Sequence, residues 1–538
     1  MSVKGKSLNR GCDSSASRVR ERAGMRALMP LGACTFLTLV VVLFTGCASV
    51  PKDAHRTPST AFPDYASTVI GAYLENAAAS HPGQSGFAIF PDGRRAFTSR
   101  ITMTELAQKT LDLQYFIWDA DATGRILAER LIRAADRGVR VRILVDDLNL
   151  GDRDRGIAAL DAHPNIEVRI FNPFADRSWK LLGFLTDFNR VNHRMHNKLF
   201  VMDNAVAIIG GRNIGGSYFG VHQEANFRDM DVIAGGPVVR EASGVFDHFW
   251  NGDWAVPITA LVDRSATEAD LRAMAETVHE LIAKEPYPYP LDADVAALES
   301  ELRNIFDSFI WARGRMVFDD PNEINEYGRT VTMMPAFGRR IDLLESELLI
   351  EVPYFVVREQ GLAAVARLRD RGVRIRVLTN SLASNDVLTA HAGHARHREE
   401  LVAAGVELYE LRSDPAVKKR AIHSTGSARS SLHCKAIVFD RKDLFIGSLN
   451  LDPRSADINT EAGLYIESPE LATQLIAYMD EGVLPQNSYR VLLDADGNLY
   501  WVTETGGRVE RYDHDPNSTS WQRTKARIIQ MLPIEDQI

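Results

Sequence analysis

At 538 residues the chain exceeds what one ordinary hydrophobic core organises, so two domains with extensions are expected. Its 45% hydrophobic and 25% charged residues are those of a folded globular body and exclude a largely disordered chain. The formal charge is −9; the first 46 residues carry a net +5, so the remainder carries −14, a poor footprint for nonspecific nucleic-acid binding.

Residues 1–46 are expected to form a signal segment. Leu31 to Phe44 is almost wholly apolar, preceded by Arg18, Arg20, Arg22 and Arg26 and followed by Thr45-Gly46-Cys47-Ala48-Ser49, the three-part layout of an export signal. The run is shorter than the ~20 residues a spanning helix needs. It resembles a bacterial lipoprotein signal, which implies a lipidated Cys47 as mature N-terminus, anchored in the cell envelope and facing the periplasm. Phe44 departs from the usual Leu, and Ala48 after the Cys implies the outer membrane rather than the inner. A short uncleaved anchor is the alternative, and both Met1 and Met25 remain open as the start. With Cys12 and Cys34 also in this head, the body retains only Cys434 and a terminal Cys47, which leaves no disulfide framework.

After a tether and helix over 47–85, the first domain is expected over 86–262. Leu111 to Trp118 reads as an apolar strand and Ile126 to Ala135 as a helix. Asp136-Arg137-Gly138-Val139-Arg140-Val141-Arg142-Ile143-Leu144 then carries a Gly where a helix hands over to an alternating strand. Between Asn172 and His193 lies an apolar stretch with Phe174, Trp179, Leu181, Leu182, Phe184, Leu185 and Phe188, interspersed with Arg177, Lys180 and Arg190. A connecting helical segment is expected over 263–335 and a second domain over 336–486. The second domain repeats the order: strand Leu348 to Val357, helix Leu362 to Leu368, then Asp370-Arg371-Gly372-Val373-Arg374-Ile375-Arg376-Val377-Leu378. Both upstream strands contain a Tyr-Phe pair. Strand, helix, strand in each half predicts βαβ units and an α/β fold with parallel strands. Residues 487–538 close the chain with a hairpin and the amphipathic stretch Trp521 to Leu532, expected to dock or to touch a membrane.

About 60 residues past each junction glycine stands the same pattern: His196-x-Lys198-x4-Asp203-x6-Gly210-Gly211-x-Asn213 and His433-x-Lys435-x4-Asp440-x6-Gly447-Ser448-x-Asn450. Alternate residues of a strand share a face, so each His and Lys emerge side by side. Asp203 and Asp440 fall in the turns that follow and are expected to be structural. Gly211 and Ser448, beside Gly210 and Gly447, are expected to leave room for a phosphate to which Asn213 and Asn450 donate. Downstream, Asp229 and Glu461 each precede a Pro by eight residues and are candidates for orienting His196 and His433.

Both motifs resemble the H-x-K-x4-D signature of the phospholipase D superfamily. Longer phrases, Tyr115-Phe116-Ile117-Trp118, Asn172-Pro173-Phe174, Arg194-Met195-His196-Asn197-Lys198, Gly210-Gly211-Arg212-Asn213-Ile214-Gly215, Thr379-Asn380-Ser381-Leu382-Ala383-Ser384-Asn385-Asp386-Val387 and Asp452-Pro453-Arg454-Ser455, are most similar to C-type bacterial cardiolipin synthases. The resemblance implies two repeats, each a mixed β-sheet flanked by helices, related by a pseudo-twofold with one active site at their interface. It also places His391 in a substrate loop.

Phosphodiester chemistry needs a nucleophile, a proton donor for the leaving alkoxide and cations for the phosphoryl oxygens. Two His and two Lys supply these, with no cofactor or metal expected. The pattern is symmetric between the histidines; the resemblance assigns attack to His196 and acid-base work to His433. The expected function is phosphatidyl transfer forming cardiolipin from phosphatidylglycerol and a second phospholipid, with phosphatidylethanolamine implied by resemblance. A hydrolytic phospholipase D is the rival, ahead of a nuclease of the superfamily and a non-enzymatic envelope lipoprotein. Phospholipid and membrane are the expected partners. Zinc binding by His391, His394 and His397 is disfavoured, since i and i+6 diverge by about 120° around a helix; His394 and His397 read as surface residues. Cys434 reads as a small buried hydrophobe.

Overall fold

The computed structural model describes residues 50–538, apart from 52–53, 152, 178–179, 286, 290, 292–293, 325–332, 416–428, 534 and 538. The head with its apolar run, Met25, Cys12, Cys34 and Cys47 lies outside the described residues, as does Trp179.

Each repeat builds a βαβ unit for legible local reasons. Asp121 caps the helix Ala122–Asp136 by accepting from Gly124 N at 3.0 Å, and Gly138, at φ +92°, turns the chain from the helix into a strand. That strand, Arg140–Asp146, pairs in parallel with Thr110–Tyr115. In the second half the helix Glu359–Asp370 ends at Gly372, φ +77°, and Arg374–Asn380 pairs in parallel with Glu347–Glu351.

The strands join in one continuous 18-stranded sheet. Through the first half its order is Ala255–Pro257, Ile166–Phe171, Arg140–Asp146, Thr110–Tyr115, Leu199–Met202, Val206–Gly210, Asp231–Gly235 and Ser85–Phe90. Ser85–Phe90 then pairs antiparallel with Ile310–Phe318, and the order runs in reverse: Ala462–Glu467, Asp443–Gly447, Ala436–Phe439, Glu347–Glu351, Arg374–Asn380, Glu407–Leu411 and Ser488–Leu493. The hairpin of Leu499–Thr505 and Arg508–Tyr512 extends that edge. Mirrored order about one antiparallel pair is what a pseudo-twofold requires. The halves share a core, with Val201, Phe246 and Val238 packed in one cluster with Leu349, Val438 and Leu475.

Three features differ from the local reading. The segment 263–335 carries the helices Glu268–Lys284 and Val295–Asp307 but then supplies Ile310–Phe318, the strand that starts the second half of the sheet. The Tyr-Phe pairs are not equivalent: Leu111 faces Met202 and Leu348 faces Phe439 in the same register, which sets Tyr354 at the position of Ile117, not of Tyr115. His394 is buried, not superficial: the helix Leu388–Ala403 is covered by the C-terminal helix Ser520–Gln530, and His394 Nδ1 donates to Phe355 O at 2.9 Å while its Nε2 lies 3.3 Å from Glu410 Oε1. Cys434 is buried and free, as its composition suggested.

Candidate active site

Each H-x-K runs directly into an apolar strand, Leu199–Met202 or Ala436–Phe439. Each strand ends in a tight turn with positive φ at Asp203-Asn204 and Asp440-Arg441, then returns as Val206–Gly210 or Asp443–Gly447. Asp203 accepts from Gln108 N, Lys109 N and Thr110 N at 2.7–3.0 Å; Asp440 accepts from Ser346 N at 2.8 Å and Glu347 N at 3.1 Å. Both carboxylates therefore tie the turn to the start of the neighbouring strand, at the opposite end of the hairpin from His and Lys.

The orienting carboxylates cross between the halves. His196 N donates to Thr460 O at 2.9 Å while Thr460 N donates to Arg194 O at 2.9 Å. In the other half Arg429–Leu432 pairs in parallel with Ala225–Arg228, and His433 N donates to Arg228 O at 2.9 Å. Each histidine thus lies against the residue preceding the other half's acid. His196 Nδ1 meets Glu461 at 2.9 and 3.0 Å, and His433 Nδ1 meets Asp229 Oδ2 at 2.7 Å. Neither half contains a complete His–carboxylate pair.

The small residues expected to cradle phosphate serve the carboxylates instead. A Cβ at Gly211 would lie 2.1 Å from Asp229 Oδ1, so this glycine is required for the carboxylate to reach His433. Its counterpart Ser448 donates to Glu461, and Ser455 Oγ donates to the same group at 2.7 Å. Gly210 and Gly447 are crowded by Asp231 and by the backbone of Ala462 and Gly463, which reflects close strand approach. Asn213 Oδ1 accepts from Ile117 N at 3.1 Å. Its buried Nδ2 makes no well-formed hydrogen bond among the described residues and lies against the Tyr218 hydroxyl, a donor that a phosphoryl oxygen can take over; Asn450 is 5% exposed, with Oδ1 unpartnered.

His196 and His433 are 7% and 6% exposed, Lys198 and Lys435 3% and 1%. Lys198 Nζ donates to the carbonyl of His196, and Lys435 Nζ to that of His433 at 2.6 Å, so each ammonium folds back beside its own histidine. Burial, then Lys198 and Lys435, holds the His196 imidazole well below its usual value; burial, then Lys435 and Lys198, does the same to His433. Burial lowers both lysines against Glu461 and Asp229. Burial likewise raises Asp229 against Lys435, and lifts Glu461 to about 7 against Lys198. Burial and the lysines thus favour the neutral form of each ring, while the carboxylate held at its Nδ1 stabilises the positive charge whenever one develops.

Several contributors had no signal in the motif. Phe116 meets His196 edge-on at 5.1 Å, while Tyr218 and Phe227 flank His433 at 5.1 and 5.0 Å. Asp146 accepts from Met195 N at 2.9 Å, and at the equivalent strand end Asn380 accepts from Leu432 N at 2.8 Å, each fixing the residue ahead of a catalytic-type histidine. A polar residue closing an apolar strand in both repeats could have pointed to these two.

In the stretch after Asn172, Phe174 is buried against Phe184, whereas Leu185 is 77% and Phe188 43% exposed. The cations there are paired: Arg177 with Asp147 and Asp154, Lys180 with Asp147, Arg190 with Asp187. The structure does not bring His391 to the two imidazoles. It lies 3.5 Å from Asp515 and faces a cavity of about 250 Å³ under the C-terminal helix, because Leu388–Ala403 packs against that helix. No helix among the described residues is long and apolar enough to cross a membrane.

Two H-x-K motifs on a duplicated mixed sheet, sharing one buried site with exchanged carboxylates, define a phospholipase D-like protein. The chain belongs to the family described as cardiolipin synthase, PLD-like domain, whose profile matches residues 101–250 and 339–482. It is 38% identical over 471 residues to cardiolipin synthase C of Escherichia coli K12, covering 85% of this chain and 96% of that one. It is 23% identical over 411 residues to a cardiolipin synthase of Oceanobacillus iheyensis, covering 75% and 70%. The crystal structure of phosphatidylserine synthase from Haemophilus influenzae Rd KW20 shares the fold, with a TM-score of 0.54 at 13% identity over 87% of this chain and 100% of that one.

Proposed function

We propose that the protein is a phosphatidyltransferase that forms cardiolipin from phosphatidylglycerol and phosphatidylethanolamine through a phosphohistidine. The crossed pairing of two buried imidazoles with Glu461 and Asp229, beside two buried lysines, carries this reading. His196 Nε2 attacks phosphorus of phosphatidylethanolamine, and the P–O bond to ethanolamine breaks as His433, entering the step as the imidazolium paired with Asp229, delivers its Nε2 proton to the leaving oxygen. His433 then takes the proton from a glycerol hydroxyl of phosphatidylglycerol, whose oxygen displaces His196 from phosphorus. Glu461 stabilises the charge that develops on His196, as Asp229 does for His433. Lys198, Lys435, Asn213 and Asn450 hold the non-bridging oxygens. Burial of both histidines supports transfer to an alcohol over transfer to water.

The lipoprotein-type head supports an envelope location with Cys47 lipidated, and the exposed Leu185 and Phe188 suit contact with the lipid surface. Purified protein supplied with labelled phosphatidylglycerol and phosphatidylethanolamine should yield cardiolipin. Phosphatidic acid as the main product would establish the hydrolase instead. His196→Ala and His433→Ala should each abolish turnover, and near-native activity in either would overturn the mechanism. Membrane fractionation with and without Cys47→Ala tests the anchor.

A further inference from the structure

The sheet of the first half and the helices above it line a pocket of about 310 Å³ that opens to solvent on one side. Ile143 and Val168 form its floor, Leu160 one side, and Met274, Val278 and Leu281, one face of the helix Glu268–Lys284, its roof. Charged groups enter only as Asp119, Arg125 and Arg153, gathered where Arg125 donates to Ala120 O and Arg153 to Trp118 O. A pocket lined so largely by apolar side chains gains most from an apolar occupant, which removes that surface from water. This one has room for about ten water-sized groups and lies in the size range of ligand pockets. Its polar end adjoins the reacting centre: Phe116 abuts His196, Ile117 N bonds Asn213, and Trp118 lines the cavity.

We propose that this cavity receives one acyl chain of the phospholipid whose phosphodiester reacts at His196. The proposal rests on the phosphatidyltransferase reading above. An unbranched chain can lie between the sheet and the helix Glu268–Lys284, and the rim, where Arg125 pairs with Glu285 and Arg153 lies beside Asp119, is polar and charge-balanced, which suits the ester end of the same molecule. The helix Glu268–Lys284 then keeps its Met274, Val278 and Leu281 face for lipid.

Two substitutions fill the cavity from opposite walls. A Cβ at Gly156 meets no atom within 4 Å, so Gly156→Leu enters open space; Val278→Phe enlarges the roof. In both, kcat/KM for long-chain phospholipid should fall at least tenfold relative to a short-chain analogue whose tails need no cavity. Thermal melts at or above the wild-type temperature would show that the void was filled without unfolding. Independently of activity, phosphatidylethanolamine brominated midway along one chain, presented in detergent micelles, should quench a fluorescence component that Trp118→Phe removes. The proposal is overturned if long- and short-chain substrates lose rate equally, or if the ratio is unchanged in both variants. It is also overturned if Trp118 is not quenched, or if a brominated free fatty acid quenches it and phospholipid does not. Inactivity of the wild type on every phospholipid, with Trp118 still quenched, would instead reject the phosphatidyltransferase reading.

Discussion

Glu461→Gln offers the sharpest test of the crossed pairing. The substitution keeps the shape and the contacts to Ser448 and Ser455, whose hydroxyls can rotate, but removes the negative charge 2.9–3.0 Å from His196 Nδ1. When His196 attacks phosphorus its ring becomes cationic, and two unit charges about 4 Å apart interact by about 4 kcal/mol at an effective dielectric of about 20. At about 1.4 kcal/mol per decade, formation of the phosphohistidine should slow about a thousandfold. Asp229→Asn should act on the other histidine. A phosphatidyl ester with an activated leaving group needs no proton from His433, so in rapid-quench experiments Asp229→Asn should form the intermediate at near wild-type rate. Glu461→Gln should remain slow on the same substrate. If Asp229→Asn is the slow variant and Glu461→Gln is rescued, His433 is the nucleophile. If both respond identically, the separation of roles is wrong.

Gly211→Ala should reproduce the Asp229→Asn phenotype in a folded protein, because the new methyl takes the space of Asp229 Oδ1; circular dichroism with the same quench assay checks it. Asp203→Ala leaves the buried Thr110 N–H and the part-buried N–H groups of Gln108 and Lys109 without their acceptor and should cost about 1–3 kcal/mol in urea unfolding, while activity per folded molecule changes little. Asp452 caps the helix Pro453–Asp457 yet burial lifts its pKa to about 7. A carboxyl raised on folding loses stability as pH climbs from the unfolded value, near 4, through about 7. Asp452→Asn, an equally good cap, should therefore stabilise the protein above pH 7 by up to about 4 kcal/mol, with the gain vanishing near pH 4 in thermal melts.

How far the sequence reaches is visible in single residues. Alternation along Lys198 to Met202 and Lys435 to Phe439, repeated at fixed spacing, suffices to put each His beside its Lys, to send Asp203 and Asp440 to the turns and to establish a duplicated α/β fold. These are local consequences of strand geometry, which a few neighbouring side chains determine. Asp229 and Glu461 were also legible as carboxylates near imidazoles. Which acid serves which ring was not, because His196 and Glu461 stand 265 residues apart and His433 and Asp229 204 apart. That choice is made by backbone bonds from His196 to Thr460 and from His433 to Arg228 across the pseudo-twofold. The same long-range packing set Gly211 and Ser448 beside the acids they support, recruited Ile310–Phe318 to start the second half of the sheet, buried His394 and left an apolar pocket beneath Met274 and Val278. The chemical groups follow from local pattern; their partners follow from which surfaces meet when two similar sheets pack edge to edge.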